Sequence, residues 1–183
     1  MDFPVNTLRN FYYLRAIVAF AWVAIVFAAA KAPPLVAGTL LVIYPAWDAI
    51  ANVIDARRSG GLAANPGQRF NALTSIITAV AMAVAFTLRG NEGGVLVFGM
   101  WALLAGLFQL AVGIRRRKLG GQAFMMISGA QSALAGVHFV FKAFDNAPSV
   151  AQIAPYAAFG GFYFLLSALW LTFRKSPRSV TVA

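Results

Sequence analysis

The chain has 183 residues, 61% of them hydrophobic and 11% charged, with 15 basic residues against 5 acidic ones. A water-soluble domain carries about 25% charged residues and about half apolar ones, so the solvent that fits this composition is lipid. Cysteine is absent, which excludes disulfides, thiol nucleophiles, thiolate zinc sites and iron–sulfur clusters.

A helix crosses the roughly 30 Å hydrocarbon layer in about 20 apolar residues. Six stretches of that order, nearly free of charge, follow one another at 12–30, 34–54, 70–88, 93–114, 122–141 and 151–173. β-Barrel strands alternate polar and apolar residues, and the run from Ala16 to Ala30 does not. The expected fold is therefore all-α, a polytopic membrane protein of six transmembrane helices. The first span raises one rival, because Arg9, an apolar run and the Phe27-Ala28-Ala29-Ala30 stretch imitate a cleavable signal peptide. The repeat described below needs this span, and we expect it to be retained.

Placement accounts for the net charge of +10. Arg9, Arg15, Arg57, Arg58, Arg69, the run from Arg115 to Lys118, Arg174, Lys175 and Arg178 fall on one side of the spans; Lys31, Arg89 and Lys142 fall on the other. The positive-inside rule puts the larger group in the cytoplasm, and an even number of spans puts both ends there. The Arg115–Lys118 run has a second reading, a patch for anionic lipid or nucleic acid, but holding orientation is sufficient reason for it. No nucleic-acid partner is expected.

The second, fourth and sixth spans resemble one another. Gly38, Gly99 and Gly160 open them and lie 61 residues apart. Seven positions past each glycine stands Pro45, Gly106 or Ser167, and ten past stands Asp48, Gln109 or Trp170. The unit is a helical hairpin used three times, at about 9–58, 69–118 and 121–178, within one integral membrane domain covering 1–183. Small residues let helices approach closely where lipid supplies no hydrophobic drive. Ser128, Ser132 and Gly136, and separately Gly99, Gly106 and Gly113, read as packing stripes, or alternatively as the lining of a substrate path.

An ionisable residue in a span costs about 2.5–3.5 kcal/mol on insertion scales, so each needs a partner or a function. With the first outer turn centred near Ala32, Arg15 and Asp48 lie at equal depth, as do Arg9 and Asp55. Asp48, Asn52 and Asp55 recur at helical spacing, one polar stripe, which reads as an ion-pair clasp or as a proton or cation half-path. Gln109, at the repeat position of Asp48, extends the polarity to another helix. Arg15, Asp48, Asn52, Asp55 and Gln109 are the candidate intramembrane cluster. His138, the one histidine, lies one turn before Lys142 near the outer end of its span, as an acid sensor or as a wetted interface residue.

Catalytic templates fail on residue supply. The chain has no GxSxG elbow, phosphate-binding loop or HExxH pair, and Ser132 lies six residues from His138, on a different helical face. No catalytic residue, cofactor or metal site is expected. Aromatic residues such as Tyr44, Trp47, Trp101, Tyr156, Tyr163 and Trp170 read as a ligand cage or, since most aromatic residues gather near span ends, as interfacial anchors.

The triplicate hairpin, the early glycine of each even span, and the stretches YPAWDAIANVIDARRSGG and MMISGAQSALAG resemble the HdeD-like family of bacterial inner-membrane proteins. That resemblance implies a six-helix protein of the bacterial inner membrane, associated in its namesake with acid resistance and without known turnover. The functional expectation is an envelope or acid-stress protein whose partners are the bilayer and a homo-oligomer or larger membrane complex. The alternatives are a small proton-linked permease built on the Asp48 cluster and an accessory subunit of a larger assembly.

Overall fold

Backbone N–H and C=O groups in lipid must be satisfied within the chain, and an unbroken helix does this locally for long apolar runs. A computed structural model describes residues 5–115, 123–145 and 148–173; its elements are helical, with no strand among the described residues. They are α1 Val5–Ala28, α2 Pro34–Arg58, α3 Pro66–Arg115, α4 Ala123–Lys142 and α5 Ala154–Phe173, the last entered through a 3-10 turn, Val150–Ile153. Among the described residues, four stretches are both long and apolar enough to cross a membrane: Thr7–Ala28, Pro34–Arg58, Pro66–Ala111 and Val150–Phe173. Gln122 and the basic residues Arg116, Arg117, Lys118, Arg174, Lys175 and Arg178 lie outside the described residues.

Prolines and glycines set the boundaries. Pro34 occupies the first turn of α2, where a missing N–H costs nothing, and Pro33 precedes it. Pro45 is buried inside α2; it cannot donate the bond that the Leu41 carbonyl would otherwise accept. After Arg58 the chain leaves the helix through Gly60 and Gly61, both with φ near +90°. Asn65 then holds that loop closed, its side-chain amide donating to the Ser59 and Gly61 carbonyls at 2.7 and 2.8 Å.

A straight α3 of 50 residues would be about 75 Å long, far more than a bilayer needs. It is not straight. Gly90 has φ 57° and ψ −141°, a region essentially reserved for glycine, and the chain doubles back there. A Cβ added at Gly93 would overlap the Ala85 carbonyl oxygen, so the arms 66–89 and 91–115 touch directly beyond the turn. Arg89 and Glu92 form an ion pair across it.

The most extensively packed pairs are α1 with α5, α2 with α3, and α3 with α4. The tightest is the second arm of α3 on α4. A Cβ at Gly99 would lie 2.7 Å from the Val140 nitrogen and one at Gly129 2.7 Å from the Leu110 nitrogen, while one at Gly106 would overlap Ala133. On α4 the seam therefore runs through Gly129, Ala133 and Gly136. Of the stripe expected there, Gly136 belongs to it, Ser132 borders it by donating to the Ala102 carbonyl at 2.9 Å, and Ser128 faces the cavity described below. Gly38 packs on Phe86 of the first arm of α3, and on α5 it is Gly161, next to Gly160, that meets Ala19 and Phe20 of α1.

α1 and α2, though consecutive, pack sparsely. Between them run one ion pair, described below, and the bond from Trp22 Nε1 to the Leu40 carbonyl at 2.8 Å. The core is aromatic. Phe98 is fully buried, with Trp101, Phe139 and Tyr156 set nearly perpendicular to it at 5.4–5.6 Å, the edge-to-face arrangement that ring quadrupoles favour. The outer surface is also apolar: Ile77, Leu134, Phe141 and Trp170 are all exposed, a surface suited to lipid.

Candidate functional site: a central polar cavity

Asp48 sits one turn past Pro45 on α2, and its carboxylate gathers donors from three segments. Arg15 Nη2 of α1 donates to Oδ1 at 2.5 Å; Ser75 Oγ of α3 and Asn52 Nδ2 donate to Oδ2 at 2.8 and 3.0 Å. Asn52 also bonds the Asp48 carbonyl at 2.8 Å, which fixes its amide. The Arg15 guanidinium stacks over the Phe164 ring of α5 at 4.1 Å, so this one node ties α1, α2, α3 and α5 together. Arg15 is not saturated, because its Nε is buried without a partner.

This node forms part of the wall of a central cavity of about 1160 Å³ to which all five helices and the 3-10 turn contribute. Two further bonds cross it between α4 and α5: Tyr163 donates to Gln131 Oε1 at 2.9 Å, and Tyr156 lies 2.9 Å from Ser132 Oγ. Since Ser132 spends its proton on Ala102, Tyr156 is the donor of that pair. Gln152, at the 3-10 turn, also lines the cavity, with its Oε1 buried and unpartnered. Arg15 and Asp48 are the charged residues of the lining and cancel one another, leaving amides, hydroxyls and aromatic faces to define its chemistry.

The residues singled out from the sequence divide accordingly. Arg15, Asp48, Asn52, Gln109 and His138 all line the cavity. Asp55 does not: it accepts from Gln68 Nε2 at 3.1 Å, while Arg9 lies beside Asn10. The second expected cross-hairpin pair is thus not formed: Asp55 meets Gln68 of α3, and the contact of this end of α2 with α1 is made instead by Arg58 over the Phe11 ring. Trp170, at the third repeat position, is exposed on the outer surface. His138 is exposed at the cavity's edge, its ring 5.8 Å from Phe139. Lys142 pairs with Asp145 at 2.6 Å instead.

Of the aromatic residues open to a ligand-cage reading, Tyr44, Trp47, Trp101, Tyr156 and Tyr163 line the cavity, whereas Ser75, Gln131 and Gln152 are site residues that the sequence alone does not single out. Ser75 has a readable signal: Asn71, Thr74, Ser75 and Thr78 form a polar stripe on α3 of the same kind as the one on α2, and Ser75 and Thr78 are buried. Among the described residues no group of three or more acidic, histidine or cysteine side chains could hold a metal ion. Comparison with known proteins finds no matching family model, no matching curated protein and no matching solved structure.

Proposed function

We propose that the chain is a six-span protein of the bacterial inner membrane, with both ends cytoplasmic, that holds a small uncharged or amphipathic molecule in its central cavity and acts by binding it, without turnover. The observation that carries this reading is the cavity itself, with a neutral hydrogen-bonding wall, aromatic faces and unused groups at Arg15 Nε and Gln152 Oε1. A bound acceptor oxygen near the first and a donor near the second would satisfy both. Six spans are supported by the reversal at Gly90, and a threefold repeat by Gly38, Gly99 and Gly161, the last one position past the expected Gly160, each of which seats an even span on the first span of another hairpin. An HdeD-like, envelope-stress role is compatible with a protein of this architecture.

The proton-linked permease is the second reading, favoured by the presence of Asp48, Asn52 and Gln109 in the cavity lining. The three donors that hold the Asp48 carboxylate favour instead a structural clasp. Because the chain has no cysteine, any introduced thiol is unique. Ala135→Cys in the cavity should react with a small water-soluble maleimide in membrane vesicles, and Leu134→Cys on the outer surface should not. Equal reactivity at the two positions would sink the cavity reading. Proton flux into liposomes that is lost in Asp48→Asn, with stability intact, would promote the permease.

A further inference from the structure

On the side of α2 away from the cavity, Ala46, Ile50, Val53 and Arg57 recur at i, i+4, i+7 and i+11, one stripe of the helix. Arg69, Leu73, Ile76 and Val80 repeat that spacing on the first arm of α3. The two helices run antiparallel, with register set by the Asp48–Ser75 and Asp55–Gln68 bonds and by Gly38 against Phe86. In that register Arg57 and Arg69 stand within about one helical turn of the same depth. Between the stripes lies an apolar groove of about 490 Å³, floored by Ala46, Ala49 and Ala79 and flanked by the exposed side chains of Ile50, Ile76 and Val80. Arg57 closes one end.

We infer that this groove binds one anionic glycerophospholipid, an acyl chain lying along the alanine floor and the phosphate held by Arg57 and Arg69. The inference rests on the membrane-spanning reading and not on the cavity's ligand. Two observations carry it. The groove from Ala46 to Arg57 is about 16 Å long, close to the roughly 15 Å of hydrocarbon in one leaflet. Arg57 and Arg69 are exposed, and neither has a side-chain hydrogen bond or ion pair among the described residues, whereas the neighbouring Arg58 lies over the Phe11 ring at 5.4 Å. Two exposed arginines at about one depth on neighbouring helices offer guanidinium forks that match phosphate oxygens. A headgroup phosphate attached to an apolar chain satisfies both the groove and the arginines; a free phosphate would leave the groove empty.

The test is native mass spectrometry of the detergent-solubilised protein taken from the membrane fraction, titrated with phosphatidylglycerol and with phosphatidylcholine of identical acyl chains. The wild type should retain one phosphatidylglycerol with a preference of about thirtyfold, as expected for two basic side chains at a headgroup. The Arg57→Gln/Arg69→Gln double variant should lose that preference, and Ala79→Phe, which fills the groove from its floor, should weaken retention of both lipids. Arg9→Gln, a basic residue away from the groove, should behave as wild type. Equal retention of the two lipids by the wild type, or a preference that survives the double variant, would overturn the site. Protein absent from the membrane fraction would remove the spanning reading and this site with it.

Discussion

Replacing Asp48 by asparagine tests whether the carboxylate is a clasp. The change preserves shape and leaves an amide oxygen that can still accept from Ser75, but it strips the Arg15 guanidinium of its counter-charge in a cavity where that side chain is 14% exposed. Removing one partner of a fully buried pair costs about 3–5 kcal/mol. The partial exposure of both groups lowers that, so a cost of about 2–3 kcal/mol is expected. For a chain of this size each kcal/mol moves Tm by about 2–4 °C, giving a fall of about 5–10 °C. The assay is thermal unfolding in detergent, followed by tryptophan fluorescence, for Asp48→Asn, Arg15→Gln and the double variant. If the pair is a clasp, the double variant is no worse than either single one, since no unpaired charge is left in the cavity. Losses that add, leaving no coupling between the two positions, would refute the argument and make Asp48 a transport candidate again.

Four further outcomes follow from the packing. Gly106→Leu should destabilise by about 3 kcal/mol or more, because its side chain would occupy the Ala133 backbone, while Gly67→Ala, with open space around it, should lie within about 0.5 kcal/mol of wild type in the same melts. Gly90→Ala should cost about 1–3 kcal/mol through its backbone angles alone, since a Cβ there would meet only open space. Tyr163→Phe removes the donor to Gln131 and should lower stability by about 1 kcal/mol while increasing maleimide reactivity of a cysteine at Ala135. Trp22→Phe should cost a similar amount by leaving the Leu40 carbonyl without its side-chain donor, read by the same thermal shift.

Much of the architecture was legible because lipid permits few solutions. An apolar run of membrane length must become a helix, so the helical character of 5–28, 34–58 and 66–115 could be read without any tertiary information. The reversal near residue 90 was visible in Arg89, Gly90, Glu92 and the Gly93-Gly94 pair, which interrupt the apolar run. The structure adds that helical hydrogen bonding continues on both sides of that turn up to a single glycine. Depth was legible as well: counting from the turn near Ala32 puts Arg15 level with Asp48, and the two meet at 2.5 Å.

Depth does not say which helix is beside which, and that is where sequence reasoning stopped. Arg9 and Asp55 are also level, yet Asp55 meets Gln68, since α2 packs along α3 while α1 packs along α5. The same gap hid the cavity. Its polar wall is assembled from short polar groups on separate helices, Ser75 on α3, Gln131 on α4 and Tyr163 on α5, and nothing within any one helix says that they share a cavity. A lone hydroxyl or amide in an apolar run satisfies itself at little cost against its own backbone, as Thr39 and Thr87 do here with carbonyls four residues back. Ser75, Gln131 and Tyr163 instead reach across to other helices, and that choice depends on helix rotation, which apolar composition on every face leaves unmarked. A helix with one polar stripe announces its inward face, as α2 does at Asp48 and Asn52. α4 carries a weaker one at Ser128, Gln131 and Ser132, beside its Gly129 and Gly136 seam, whereas α5 carries none, and its inward face is set by Gly161 against Ala19, a contact that belongs to a pair of helices and not to either sequence alone.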